Sequence, residues 1–195
     1  MIFKKQNKSK IFYRILVFEC FMSLIDIILT RRSIRRYAKK EISKVELNKI
    51  LETGRLAPSS SDRQPWHFIV VTDPEIKKKI AQTGDSLFIK DAPVIIVGCG
   101  LIGDDYTQKW GTTWAIIDTS IALQNMTIAA WAMGVGSCWI GDFSEDEVKA
   151  LLGISDDWKI ISLLALGYPA EQPKPRKSKP IEEIVSFNKF NHKNL

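Results

Sequence analysis

Histidine and cysteine are scarce in this 195-residue chain, with two of the first and three of the second. Cys20, Cys99 and Cys138 form no C-x-x-C pair, so a disulfide framework and a structural zinc site both lack their residues. His67 and His192 are the imidazoles, and no Ser-His-Asp or Cys-His set is legible around them. The cysteines read as reduced thiols of a cytoplasmic protein. Long uncharged hydrophobic runs are also missing. The apolar stretch from Ile11 to Leu29 is broken by Arg14, Glu19 and Asp26, whereas a membrane span needs about 20 mostly uncharged residues. No small-x-small cleavage site follows it, so residues 1–21 read as an extension outside the core rather than a signal peptide. No stable membrane association is expected, and residues 22–195 read as a single domain with an extended C-terminal arm.

What the chain does have is positive charge, and it is unevenly placed. The formal charge is +6, from +4 over residues 1–21, +5 over 22–40, −7 over 41–171 and +4 over 172–195. Basic ends on an acidic body differ from a nucleic-acid groove spread across a domain. Nucleic acid is therefore not an expected partner, although a polyanion-binding protein that uses its charged ends stays open as a reading.

Local signals interleave helices and strands. Helical spacing covers Ser23–Thr30. Ser43 with Glu46 forms a capping box for a helix reaching about Arg55, and Ser144 with Glu147 a second one for a helix to Leu152. Asp73-Pro74 opens a short helix to about Gln82. Thr112–Met133 is apolar on nearly every side, the pattern of a central or interface helix. Trp66–Thr72, Ala92–Cys99, Ser137–Ile140 and Lys159–Gly167 read as strands. Without strict β-α alternation, the fold class is α+β, helices packed on a sheet.

Four segments can carry chemistry. Gly98-Cys-Gly-Leu-Ile-Gly103 follows a strand, with Asp118 where a ribose-binding acid belongs, so a Rossmann-type nicotinamide dehydrogenase is one reading. Against it, no helical stripe is visible until about Trp110, which favours a glycine-rich strand exit. Arg31-Arg32-Ser33-Ile34-Arg35-Arg36 packs four guanidiniums and a hydroxyl into six residues. In an extended segment Arg31, Ser33 and Arg35 share one face and converge on an anion. Ala57–Trp66 (APSSSDRQPW) is a donor-rich loop suited to the polar edge of a flat heterocycle. Gly134–Gly141 (GVGSCWIG) offers close backbone approach beside Trp139. Each has a blander reading: a solvated basic patch, a capped connector, a packed tryptophan.

In chain order, and followed by A-L-G-Y-P with a basic Pro-rich tail and P-I-E-E-I-V, the last three of these segments resemble the nitroreductase family of FMN-dependent oxidoreductases. The resemblance covers about residues 22–190. It implies a nitroreductase-like fold, with a mostly antiparallel central sheet flanked by helices in an intertwined homodimer. It also implies FMN at the subunit interface and NADH or NADPH as reductant. By position Arg31, Arg32, Ser33 and Arg35 resemble the phosphate and ribityl binders. Pro58, Ser59, Ser60, Asp62 and Gln64 resemble the loop reaching the flavin, mainly from the partner subunit. Trp139, Ile140 and Gly141 resemble the segment against the isoalloxazine, where a backbone N–H addresses N5. Asp62 stands where the family usually has Asn. Ser178 stands where an Arg is common, so Lys179, Lys177 or Arg176 would supply the tail cation. The implied reaction is ping-pong hydride transfer from NAD(P)H through the flavin to a nitroaromatic, quinone or similar small acceptor. No protein side chain serves as a catalytic acid, base or nucleophile in it.

Overall fold

The computed structural model describes residues 23–175 and 177–190. The extension at 1–21, Cys20, Arg176 and His192 lie outside them.

Side-chain caps start the helices. In α1 (Leu24–Thr30) the Ser23 hydroxyl accepts the Asp26 N–H and the Asp26 carboxylate takes the Ser23 N–H, each at 3.1 Å. Ser43 and Glu46 exchange the same pair of bonds at 3.2 and 3.0 Å to open α2 (Lys44–Arg55), satisfying donors that a helix start leaves orphaned. Asp73 caps α3 (Pro74–Ala81) through the Ile76 N–H at 2.9 Å. The box expected at Ser144 is only half made. Its hydroxyl accepts the Glu147 N–H to open α6 (Glu145–Leu152), but its own N–H goes to the Thr83 carbonyl at 2.8 Å. A tertiary partner has replaced the local one.

Strands β1 (Trp66–Val71), β2 (Val94–Leu101), β3 (Gly136–Ile140) and β4 (Trp158–Gly167) form one sheet in the order β1-β2-β4-β3, antiparallel at every pair. Side chains alternate between its faces, and both faces are covered. Ile95, Val97, Leu163 and Ala165 lie under Ile80 of α3 and Val148 of α6. Val94, Ile96, Leu164 and Leu166 lie under Leu123, Met126 and Ala130 of α5 (Thr113–Ala132), with Ile50 of α2 beside them. Two-sided burial explains why β2 and β4 read as unbroken apolar runs.

The all-antiparallel pairing of β2 rules out the Rossmann reading, which needs a parallel βαβ crossover. Its glycines serve packing instead. A Cβ at Gly98 would come within 2.6 Å of Leu123 Cδ1, and one at Gly100 within 3.1 Å of the Ala115 carbonyl oxygen. Their absence lets α5 settle onto β2. A short helix, α4 (Asp105–Trp110), also stands where the sequence shows no apolar stripe. Asp104 caps it, accepting the Thr107 N–H at 2.8 Å, so the cap rather than hydrophobic patterning makes it.

Several large apolar side chains remain exposed, three groups of them close together in sequence. These are Leu24, Ile25 and Leu29 on α1, Trp114 and Ile117 on α5, and Phe187 and Phe190 after the short tail helix α7 (Ile181–Ile184). Among the described residues no helix is long and apolar enough to cross a membrane.

Candidate functional site

The arginine segment is laid along β3 by its backbone. Ser33 bridges Ser137 in parallel, and the Ile34 N–H donates to the Ser137 carbonyl at 2.9 Å. Ile34 is fully buried and fills the space where Gly136 has no side chain, its Cγ1 2.5 Å from an ideal Cβ there. In extended backbone that burial of Ile34 leaves Ser33 and Arg35 on the opposite side. Further on, Tyr37 bridges Pro169 and donates its hydroxyl to the Ile34 carbonyl at 2.7 Å; the Ala38 N–H reaches the Tyr168 carbonyl at 2.8 Å. Tyr168 in turn donates to Glu46 at 2.6 Å. Hydrogen bonds from the Ser43 hydroxyl and from Tyr168 hold the Glu46 carboxyl down at about 2.

Trp139, Ile140 and Gly141 continue the same strand, so the structure brings them beside Arg31–Arg35. Ile140 is buried and Trp139 half-buried; space is open over Gly141, where an added Cβ would meet nothing within 4 Å. Among the described residues Arg31, Arg32 and Arg35 have no carboxylate within 4 Å. Arg32 donates instead to the Leu29 and Arg31 carbonyls. Three guanidiniums without a counter-anion beside a serine hydroxyl are the donor set a phosphate monoester requires. In that respect the residues fit FMN.

The Ala57–Trp66 loop is built differently. Ser61, Asp62 and Gln64 all have φ of 52°, a left-handed conformation costly for residues with a Cβ. Side chains hold it there. The Ser60 N–H donates to Asp118 of α5 at 3.1 Å, and the Ser60 and Tyr106 hydroxyls are 2.7 Å apart. Arg63 pairs with Asp104 and lies 4.4 Å over the Tyr106 ring. The Ser59 hydroxyl accepts the Gln64 N–H at 2.9 Å, and the Gln64 amide bonds Asp62 at 3.1 Å. Asp118 is buried, and burial raises its pKa against the opposing pull of the Ser60 N–H. The acid noticed as a ribose ligand is thus the anchor of this loop. Tyr106, Asp104 and Arg63 were not singled out from sequence, and the overlooked α4 explains why.

Loop and arm stand at opposite edges of the sheet. Ser137 is in register with Leu166 and hence Val94, whereas Trp66 faces Gly100. Six residues along and three strands across amount to on the order of 25 Å. One chain therefore does not bring Pro58, Ser59, Ser60, Asp62 and Gln64 to Arg31–Arg35. Lys179 lies among tail residues such as Glu183 and Phe190. Glu171, also unpredicted, accepts the Arg35 and Arg36 N–H groups at 2.6 and 3.2 Å.

The sequence and fold are similar to those of known proteins. A protein of Methanothermobacter thermautotrophicus, whose provisional name pairs NADH dehydrogenase with NAD(P)H nitroreductase, is 39% identical over 160 residues, covering 80% of this chain and 82% of its own. The solved NADPH:FMN oxidoreductase of Vibrio harveyi is 28% identical with a TM-score of 0.80, over 88% of this chain and 79% of that one. An FMN-dependent nitroreductase from Clostridium difficile is 30% identical with a TM-score of 0.75, over 85% and 99%. The model of the nitroreductase family matches residues 28–84 and 81–168. With that match over most of its length, this chain belongs to the nitroreductase family and is an NAD(P)H-dependent oxidoreductase of the flavin-associated kind.

Proposed function

We propose that the chain works as an FMN-containing homodimer. It would reduce a nitroaromatic, quinone or similar small acceptor by ping-pong hydride transfer from NADH or NADPH. The observation that carries this reading is the separation just described. The arm with β3 and the strained loop each look like half of a flavin site, yet lie on the order of 25 Å apart in one chain. Two copies related by a two-fold axis would set the loop of one against the arm of the other, twice. The apolar side chains of α1 and α5 left in solvent support such an interface.

In this arrangement Arg31, Arg32 and Arg35 neutralise the phosphate and Ser33 adds a neutral donor. Ser59, Ser60, Asp62 and Gln64 of the other copy meet the polar edge of the ring, with Pro58 stiffening their approach. Trp139 supports the ring, the buried Ile140 anchors their strand in the core, and the open space over Gly141 leaves its backbone free to approach the ring. Lys179 of the tail adds a further cation. FMN, once bound, supplies the two-electron chemistry, while the protein supplies binding and orientation. Asp62, an acceptor where an amide is usual in the family, favours a protonated ring nitrogen over a bare one. We place the enzyme in the cytoplasm with reduced thiols.

Purified protein tests this directly. It should be yellow, carry close to one FMN per chain, bleach under NADH or NADPH, and sediment as a dimer. Colourless protein that takes up no added FMN would end the proposal. A yellow monomer would end its two-copy site.

A further inference from the structure

The basic stretch does not stop at the residues the flavin reading uses. Arg36, Lys39 and Lys40 follow them, and the fold brings Lys77 of α3 to the same place. A cavity of about 540 Å³ is lined by Arg35, Arg36, Lys39, Lys40 and Lys77, with Glu41 and Asp91 as the acids in its wall. Five cations against two carboxylates leave an excess of three positive charges in a concave space, where field lines concentrate.

Lys77 is the unusual member. It is 8% exposed, and its ammonium donates to the Ala92 carbonyl at 2.7 Å and the Pro93 carbonyl at 3.2 Å. An ammonium has three N–H donors, so one is left over. Among the described residues no carboxylate lies within 4 Å of it. A buried cation without a counter-anion is costly, and here two backbone dipoles hold it in place at the cavity wall. The other cations are partly engaged. Arg36 is 4.0 Å from Glu171, and Lys40 sits 3.6 Å over the Tyr168 ring. Lys39 has no ion pair among the described residues.

Arg35 borders both this cavity and the proposed flavin phosphate site, but Tyr37 and Lys77 of α3 carry the cavity away from Trp139. Tyr37 and α3 pack with the face under α3 and α6, whereas Trp139 and α5 belong to the other face. We infer that this cavity is a second anion site, for a small molecule bearing a diphosphate or more than one phosphate. Its volume lies within the range of small-ligand pockets, and a buried, fixed cation with movable lysines around it suits clustered phosphate oxygens. A nucleic acid would need an extended surface rather than a single concave pocket.

Inorganic pyrophosphate titrated calorimetrically into FMN-saturated protein, in low-salt buffer free of phosphate, is the test. One site per chain is expected. Lys39→Glu and Lys77→Met should each weaken it about tenfold or more, as loss of a charge-assisted hydrogen bond implies. FMN content and bleaching by NAD(P)H should be unchanged in both variants. Lys39 is on the surface, so its variant reports even if Lys77→Met fails to fold. No binding would overturn the proposal. So would pyrophosphate binding that survives Lys39→Glu but is lost in Arg31→Ala, which would assign it to the arginine arm. A single-stranded oligonucleotide that displaces pyrophosphate at lower concentration would replace the small ligand with nucleic acid.

Discussion

In the proposed dimer the arginine arm of one copy and the Ser59–Gln64 loop of the other would meet one ligand; within a chain they lie at opposite edges of the sheet and are held by different means. The arm is held by backbone: the Ser33–Ser137 and Tyr37–Pro169 bridges, the Ile34 and Ala38 N–H bonds, and one buried isoleucine. The Arg31 and Arg35 guanidiniums are consequently without an ion pair among the described residues. The loop has three left-handed residues and takes its shape from Asp118, Tyr106 and the Arg63–Asp104 pair. Its side chains are already in use as scaffolding. Arm substitutions should therefore change binding without changing fold, and loop substitutions should change both.

The largest effect is expected on the arm. Arg31→Ala with Arg35→Ala removes two charge-assisted contacts to the phosphate, each worth about 1.5–3 kcal/mol. FMN affinity measured by fluorescence quenching should fall by about 10²- to 10⁴-fold, while the melting temperature stays within about 1 °C. A loop anchor should behave otherwise. Asp118→Ala leaves the part-buried Ser60 N–H without its acceptor, at about 1 kcal/mol, and should lower both melting temperature and FMN affinity. Asp118→Asn keeps an acceptor oxygen and should restore both. Equal losses in the two Asp118 variants would show that charge matters there and geometry does not. A smaller effect of opposite sign is expected at Ser61. Ser61→Gly relieves a positive φ and should stabilise by about 0.5–1 kcal/mol, read as a rise of a few degrees in melting temperature. The arm has no position where glycine should help.

The contrast also decides what could be read without coordinates. The arm was legible because its meaning is local: four guanidiniums around one serine, an extended backbone, an apolar Ile34 facing inward. Helix starts at Ser43 and Asp73 were legible for the same reason, since cap and partner are three residues apart, whereas α1 showed only in its apolar spacing. The Ser144 box was half wrong because Thr83, distant in sequence, competes for its N–H. The loop was recognisable as polar, but its anchors come from Asp118, 58 residues on, and from α4, whose cap at Asp104 left no apolar stripe to find. Glu171 lies 136 residues from the Arg35 N–H it accepts. Gly98 and Gly100 show the converse failure. A motif defined by glycine spacing alone cannot tell close approach of a phosphate from close approach of a helix, and only the antiparallel pairing of β2 distinguishes them.

The smallest predicted effect concerns pH, where the carboxylates behind the two regions are shifted in opposite directions. Glu46, behind the arm, is held down at about 2 by bonds from Ser43 and Tyr168. A depressed carboxylate contributes stability that is complete above its unfolded value, near 4.5, and is lost as pH falls towards 2. Asp118, behind the loop, is raised by burial. Its charged form costs stability at neutral pH, and that cost is relieved as pH falls through its raised value towards the unfolded value of 3.8. Urea unfolding followed from pH 7 to pH 3 should therefore respond to Glu46→Gln and Asp118→Asn with opposite signs. Glu46→Gln should destabilise most at neutral pH, its deficit narrowing with acid. Asp118→Asn should be neutral or stabilising at pH 7, its advantage fading with acid. Parallel profiles for the two variants would mean that both carboxylates meet the same electrostatic environment, and the contrast between a hydrogen-bonded anchor for the arm and a desolvated one for the loop would fail.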